Sequence, residues 1–365
     1  MLNSDERALV WLNSFNISIK KKNHVLENFM SPTEFYEEFL ESKELLVDIL
    51  GEKNYSIMKG VHNDEYIDYL IEKMTSKGVF ATTISSDNYP KILLDTLLDN
   101  APIVLYYVGD LSLVNSRCIA IVGTRRVTRY GRDVTKKFAR ELSLEGFTIV
   151  SGLARGVDSI AHAECLENEG KTIAVLGSGI DIVYPRENLG LYKEIAEKGL
   201  ILSEFPLGTE PQPYNFPLRN RIIVALSSSV LVTEASEKSG SMISSNLAMD
   251  YNRDLFCVPG SIFSEQSEGT NRLIKNYDSV YMTLSVNDIL THYDMKPRQI
   301  VKDAIQLDFN EQAIVNELSL GKLHFEELLS KSNIEVGTLL MVLTGLEVNK
   351  VIRKLPGNFY ELLPN

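Results

Sequence analysis

Two apolar, β-branched runs each end in a glycine-containing loop, and this arrangement constrains the fold more than any other feature of the chain. The first run ends at Gly123 and the second at Gly152, with a segment of helical character between them. Strands that lead through such loops into helices are typical of a parallel sheet covered by helices. Loop N–H groups and helix N-termini then gather at the carboxyl edge of the sheet and attract anions. The sequence therefore predicts an α/β domain with a phosphate-binding edge.

Arginines accompany these glycines. Arg125 and Arg126 follow Gly123 closely, and the second loop contains Arg155. A dinucleotide fingerprint would need the spacing G-x-G-x-x-G, but the next glycine after Gly123 is Gly131. A long ligand with many phosphates accounts for these cations better than a single dinucleotide does.

Two later segments extend the predicted groove. Residues 216–223 place two arginines and an amide just before an apolar run, and charged groups beside a buried segment usually lie at the mouth of a site. After a strand that ends at Glu234, Lys238 precedes a serine-rich helix start, where its ammonium can meet a phosphate as a point charge. A solvated surface lysine is the alternative interpretation of Lys238.

The motifs between Ile119 and Ile274 form an ordered series. They are VGTRRVTRYG, SGLARGVDSIAH, GKTIAVLGSGIDIVYP, LSEFPLG, NFPLRNRII, EASEKSGSMIS, and VPG followed by SEGTNRLI. This series resembles the bacterial DNA-processing protein A family, also called DprA or Smf. The resemblance implies an extended Rossmann-like domain that forms homodimers. It also implies a protein without enzymatic activity that binds and protects incoming single-stranded DNA and loads the RecA recombinase onto it in natural transformation.

Transferred position by position, the resemblance implies a set of DNA contacts and neither a cofactor nor a metal site. The chain departs from the family at Ala225, where glycine is common, and at residues 276–278. The implied single-stranded DNA contacts are Gly123, Thr124, Arg125, Ser151, Gly152, Arg186, Arg219, Asn220, Arg221, Lys238, Ser239 and Gly240.

A Rossmann-like nucleotide-processing enzyme of the phosphoribohydrolase type is the alternative function. Such enzymes carry a P-G-G-x-G-T loop, whereas the corresponding segment here reads KSGSMISS, which favours binding. Asp158 and His162, four residues apart on one helix face, are interpreted as a hydrogen-bonded pair that braces the second loop. Glu234 is the other position at which chemistry is conceivable.

The net charge of −12 is unusual for a protein that binds nucleic acid. Residues 117–280 nevertheless carry 19 basic and 20 acidic side chains, so the acidic excess lies mostly outside the predicted binding domain. A groove on a near-neutral domain can still be positive. Three scattered cysteines indicate buried thiols in a reducing compartment. The absence of a long apolar run and of a signal-peptide pattern predicts a cytoplasmic protein without membrane contact.

The remaining segments predict a modular organisation. Residues 1–75 predict a small helical domain, with Ser31 as a helix N-cap and Lys20 to Lys22 in a solvated loop. The family resemblance implies that this domain is of the sterile-alpha-motif type, although its sequence fits many helical bundles. Residues 76–116 lead into the central domain of residues 117–295. Residues 304–365 predict three helices and two short strands in winged-helix order. Residues 242–249 and 255–258 are candidate dimer contacts.

Overall fold

The structure is a computed structural model that describes residues 2–297, 307–332, 334–349 and 351–363. The chain divides into two compact units, Met1–Pro297 and Arg298–Asn365. Residues 304–306, the start of the predicted C-terminal domain, lie outside the described residues.

Six helices form the N-terminal segment of the first unit. One of them begins at the polar cap that the sequence predicts: Ser31 Oγ accepts a hydrogen bond from Glu34 N at 3.1 Å, and Pro32 occupies the first turn. Trp11 is fully buried among Phe35 and Phe39. The helices are α1 Ser4–Asn13, α2 Ile19–Leu26, α3 Pro32–Glu37, α4 Lys43–Leu50, α5 Glu52–Lys59 and α6 Asp64–Thr75.

A nine-stranded sheet follows, in the order β1-β2-β6-β5-β4-β3-β7-β8-β9. Seven neighbouring strands, β6, β5, β4, β3, β7, β8 and β9, are parallel to one another. Strands β1 and β2 pair antiparallel to each other, and β2 also pairs antiparallel to β6. The predicted α/β fold with a mainly parallel sheet is confirmed. The strands are β1 Phe80–Thr83, β2 Val104–Gly109, β3 Cys118–Val122, β4 Thr148–Ser151, β5 Thr172–Val175, β6 Leu200–Ser203, β7 Ser229–Val232, β8 Asp254–Cys257 and β9 Val280–Met282.

Helices cover both faces of this sheet. Side chains of β3 alternate between the faces: Ile119 and Ile121 belong to one hydrophobic core, and Ala120 and Val122 to another. Cys118, Cys165 and Cys257 are buried free thiols, as the sequence predicts. The covering helices are α7 Lys91–Leu97, α8 Arg129–Leu144, α9 Val157–Glu167, α10 Leu189–Lys198, α11 Asn215–Leu226, α12 Ser241–Asp250, α13 Glu268–Asn276 and α14 Val286–His292.

The chain order creates a switch point in the sheet. From β3 the chain builds outward through β4, β5 and β6, and then returns to the other side of β3 to add β7, β8 and β9. The connections on the two sides of β3 therefore diverge. In open α/β sheets such a divergence leaves a crevice at the carboxyl ends of the strands.

The N-terminal helices share a core with the sheet. Trp11 and Phe39 belong to the same buried cluster as Ala174 of β5 and Ile201 of β6. Residues 1–297 consequently form one compact unit. The domain boundaries at residues 75 and 116 stay predictions, since no boundary between compact units falls there.

Two sequence interpretations are wrong. Lys20 to Lys22 lie in α2 rather than in a solvated loop. Lys22 is only 5% exposed, and its Nζ donates hydrogen bonds to Asn13 O at 3.2 Å and Asn13 Oδ1 at 2.9 Å. Residues 255–258 cannot supply an exposed dimer contact, because strand β8 is covered on both faces.

The second unit contains the predicted three helices and hairpin, with an additional short strand. Its strands form an antiparallel sheet in the order β10-β12-β11. The winged-helix assignment stays a prediction from this order of elements. The elements are α15 Phe309–Leu318, β10 Leu323–His324, α16 Phe325–Ser332, α17 Val336–Val348, β11 Ile352–Leu355 and β12 Phe359–Leu362. Among the described residues of both units, every helix is too short or too polar to span a lipid bilayer.

The buried Lys22 predicts a dependence of stability on pH. Burial lowers the pKa of its ammonium from 10.5 to about 7, with only partial opposition from Glu204. Between these values the unfolded chain binds more protons, so the free energy of unfolding should rise with pH and fall as pH decreases toward 7. The slope attributable to this group is at most about 1.4 kcal/mol per pH unit.

Urea unfolding of the wild type and Lys22→Met at pH 7, 8 and 9 measures this dependence. The unfolding free energy of the wild type minus that of Lys22→Met should increase as pH increases. A difference that is constant across the range would contradict the assignment of a neutral buried amine.

Candidate functional site

A cleft of about 560 Å³ opens where the order of the strands reverses, at the carboxyl ends of β3 and β7. The loops after both strands, the first half of α11 and the segment before α13 form its walls. The structure thus brings a subset of the predicted site residues together. Those that line the cleft are Gly123, Thr124, Arg125, Arg219, Asn220, Ser239 and Gly240.

The first glycine loop is fixed tightly against its neighbours. A Cβ atom at Gly123 would lie 2.5 Å from Val157 Cγ2 and 2.7 Å from Glu234 O, so only glycine permits this approach. Thr124 N donates to Glu234 O at 2.8 Å, and Thr124 Oγ1 donates to Gln266 Oε1 at 2.8 Å. The loop is therefore held from two sides, and the exposed Arg125 side chain projects from a rigid base.

The second glycine loop is stabilised by its own helix. The Asp158 carboxylate accepts hydrogen bonds from Gly152 N at 3.2 Å and Ala154 N at 3.4 Å. Ser151 is fully buried and donates to Ile121 O at 2.6 Å. These N–H and O–H groups already have partners within the fold, and neither Ser151 nor Gly152 lines the cleft. Gly152 borders a smaller pocket beside it.

Arg219 is part of the wall rather than a projecting side chain. It is 3% exposed, and its guanidinium donates to Gly152 O at 2.6 Å and to Val175 O. Burial lowers the pKa of Arg219 to about 10, although the negative charge of Asp158 acts to raise it. Burial likewise raises the pKa of the Asp158 carboxyl, and Arg219 opposes that shift. The hydrogen bonds of Arg219 thus join α11 to the ends of β4 and β5.

Arg221 lies away from the cleft. Its guanidinium forms two hydrogen bonds to the Glu204 carboxylate, at 2.9 and 2.7 Å, in a largely buried ion pair. The sequence pattern places Arg219 and Arg221 together, but α11 is a helix, and residues two apart on a helix do not share a face. Asn220, between them, does line the cleft.

Three further basic residues are exposed around the site. Lys238 precedes the cleft residues Ser239 and Gly240, and Arg186 starts a short 3-10 helix, Arg186–Asn188, but neither side chain lines the cleft. Arg155, which the sequence analysis did not include among the DNA contacts, borders the smaller pocket. Its guanidinium is held by Glu187 through hydrogen bonds of 2.6 and 2.7 Å.

Aromatic residues are the feature that the sequence analysis missed. Tyr184 and Phe216 both line the cleft, with ring centroids 5.5 Å apart. The Arg125 guanidinium carbon lies 5.2 Å from the Phe216 ring centroid, a cation–π distance. The signal was present in the motifs YPRE and NFPLRN, where these rings accompany the arginines. Cations combined with exposed rings are typical of grooves for single-stranded nucleic acid.

The groups considered for chemistry have structural partners. His162 is fully buried, and its Nδ1 lies 2.6 Å from Thr172 Oγ1, so it does not form the predicted pair with Asp158. Burial and, to a smaller extent, Arg219 lower the pKa of His162 to about 3, which keeps the ring neutral. Glu234 is buried and accepts hydrogen bonds from Thr128 N at 2.8 Å and the Thr128 hydroxyl at the start of α8. It caps that helix.

The chain is similar to known proteins over most of its length. The sequence model of the DNA recombination-mediator protein A family matches residues 80–294. Protein Smf of Synechocystis is 38% identical over 286 residues, which cover 75% of this chain and 71% of Smf. The crystal structure of DNA processing protein A from Streptococcus pneumoniae superposes with a TM-score of 0.66 at 32% identity, covering 80% of this chain and 98% of that one. A Helicobacter pylori DNA processing protein A structure, which describes a single-stranded DNA binding mode, gives 0.53 at 36% identity, covering 59% of this chain and 97% of that one.

The contrast between Arg219 and Arg125 predicts different effects on stability. Arg219→Ala removes a buried partner of two carbonyls and of Asp158, and should reduce the unfolding free energy by about 3 kcal/mol. Arg125→Ala removes an exposed side chain and should change it by no more than about 0.5 kcal/mol. Fluorescence of the single tryptophan, Trp11, in urea titrations measures both effects. Equal stability of the two variants would contradict the structural assignment of Arg219.

Proposed function

Because the chain belongs to the DNA recombination-mediator protein A family, we propose that it binds single-stranded DNA in the cleft at the ends of β3 and β7. Membership of this family makes the protein a recombination mediator rather than an enzyme, as the resemblance of the sequence motifs implies. The observation that carries the proposal is one cleft, bordered by hydrogen-bonded loops, that combines the exposed Arg125 with the rings of Tyr184 and Phe216.

The chemistry of the cleft favours a single strand over a duplex. Aromatic rings can stack only on bases whose faces are free, and the bases of a duplex are stacked on each other. Arg125 and Arg126 supply charge for phosphates, and a rigid base keeps their loop in place. The other proposed contacts are the cleft residues Gly123, Thr124, Asn220, Ser239 and Gly240, with Lys238 and Arg186 near its entrance. Ser151, Gly152, Arg219 and Arg221 are proposed to position these groups.

Binding should therefore prefer single strands, vary little with sequence and weaken strongly with salt. The slope of log affinity against log salt should be about −0.7 for each phosphate neutralised. Fluorescence anisotropy with a labelled oligothymidine and its duplex at several salt concentrations measures all three properties. Equal or tighter duplex binding would exclude the proposed function.

Arg125→Ala should weaken binding of the single strand about tenfold or more, since a charge-assisted phosphate contact contributes about 1.5 to 3 kcal/mol. Lys59→Ala, which removes an exposed lysine on α5, is the matched control and should bind as the wild type does. Unchanged affinity of Arg125→Ala would place the DNA elsewhere on the protein.

The role of the bound strand in recombination is proposed from the same family membership. We propose that the protein protects the bound strand and loads the RecA recombinase onto it in natural transformation, in the cytoplasm. The family description as a recombination mediator supports this. The rate at which RecA assembles on single-stranded DNA, with and without the protein, tests it, with Arg125→Ala as the variant defective in DNA binding.

We also propose a homodimer formed through the first unit. Strand β9 ends the sheet and pairs only with β8 among the described strands, and an open edge is a template for pairing with another chain. Tyr281, Met282 and Leu284 expose apolar surface at this edge. A two-fold axis would place two such edges against each other. The candidate segment 242–249, in contrast, packs several of its apolar side chains on the core.

Light scattering should accordingly give a mass of twice 41.0 kDa for the wild type. Met282→Lys places a charge in the proposed interface and should shift the mass toward the monomer at micromolar concentration. Removal of residues 304–365 should leave the dimer intact. A wild-type monomer, or a Met282→Lys dimer of unchanged affinity, would contradict this interface.

A further inference from the structure

The segment between β8 and α13 contains an unusual turn. Ile262 and Phe263, at its tip, are 81% and 95% exposed, and neither belongs to a hydrophobic core formed by the described residues. Turns on a protein surface normally carry small polar residues. An isoleucine and a phenylalanine at this position bury little of their apolar surface against the described residues, which leaves that surface open to a partner.

The turn itself is firmly held, which makes the exposure a feature of the fold. Gly260 N donates to Asn271 Oδ1 and Asn271 Nδ2 donates to Gly260 O, both at 3.0 Å. Tyr130 Oη donates to Pro259 O at 2.7 Å, and Ser264 N donates to Ser261 O at 3.1 Å. The tip is thus presented on a fixed base.

This tip lies beside the proposed DNA cleft. Glu265 and Gln266, which follow Phe263 by two and three residues, line the cleft, and Gln266 accepts the hydrogen bond from Thr124. Since neighbouring Cα atoms are about 3.8 Å apart, the Cα atom of Phe263 is within about 8 Å of that of Glu265. A strand that leaves the cleft on this side would meet the Phe263 ring.

We propose that the tip formed by Ile262 and Phe263 is a base-stacking contact for the DNA strand at the edge of the cleft. The Phe263 ring would stack on a base, and Ile262 would pack against the neighbouring nucleotide. Tyr184, in a loop, and Phe216, at the start of α11, supply further rings to the same cleft, and successive stacking platforms along a cationic groove are the usual means of holding single strands. This inference rests on the proposed function and adds a base contact at the edge of the cleft to those proposed within it.

Two oligonucleotides of equal length separate base contacts from phosphate contacts: an oligothymidine and an abasic strand with the same backbone. Phe263→Ala should weaken binding of the oligothymidine about tenfold, as expected for the loss of one stacked base, and leave binding of the abasic strand unchanged. Arg125→Ala should weaken both. Tyr69→Ala, which removes an exposed ring on α6, is the matched control and should affect neither.

Phe263→Trp supplies a second measurement. The larger ring should restore the affinity for oligothymidine, and stacking on a base should quench its fluorescence. The native Trp11 is fully buried and gives a constant background. Equal weakening of both strands by Phe263→Ala, wild-type affinity of that variant, or fluorescence of the introduced indole that is not quenched on binding would overturn the stacking contact.

Two further results separate a failure of the proposed function from a failure of the stacking contact alone. If the wild type binds neither strand, the proposed function fails and the stacking contact fails with it. If Phe263→Ala changes the mass in light scattering from dimer to monomer, the tip belongs to an interface between copies of the chain, and its assignment to DNA is overturned.

Discussion

The buried guanidinium of Arg219 is the interaction on which the binding edge depends. It joins α11 to the backbone carbonyls of Gly152 and Val175, after β4 and at the end of β5, while Asp158 holds the N–H groups of the loop between β4 and α9. A buried cation of this kind is tolerated only where carbonyls and an opposite charge surround it. Because these partners come from three separate segments, the cation fixes the strand ends relative to one another.

Rigidity at this edge allows a few exposed groups to act as a site. The glycine at position 123 permits the loops after β3 and β7 to touch, so the Arg125 side chain projects from a backbone that does not need to reorganise. Preorganised groups bind with a smaller loss of conformational entropy. The Phe216 ring beneath the guanidinium combines charge and an apolar face in the space of a single nucleotide. An acidic protein can thereby carry a local site for a polyanion.

The sequence predicted the parallel sheet, the glycine loops and the position of Gly123, Thr124 and Arg125, because these depend on local patterns. It did not show that Arg219 lines the cleft and Arg221 lies away from it. That difference arises because the segment is a helix and because Arg219 contacts Gly152 whereas Arg221 contacts Glu204. The buried Lys22 and the core shared by Trp11 and Ile201 likewise depend on contacts between distant segments. The rings of Tyr184 and Phe216 were visible in the motifs, but only the fold brings them together.

Photocrosslinking shows whether DNA bases lie in the cleft. An oligonucleotide that contains iodouracil crosslinks to aromatic side chains in contact with the base, and mass spectrometry of the peptides identifies the residue. We expect crosslinks at Tyr184 or Phe216 that are lost in competition with unlabelled single strands and retained in competition with duplex. Crosslinks confined to residues 307–363, or to the N-terminal helices, would contradict binding in the cleft.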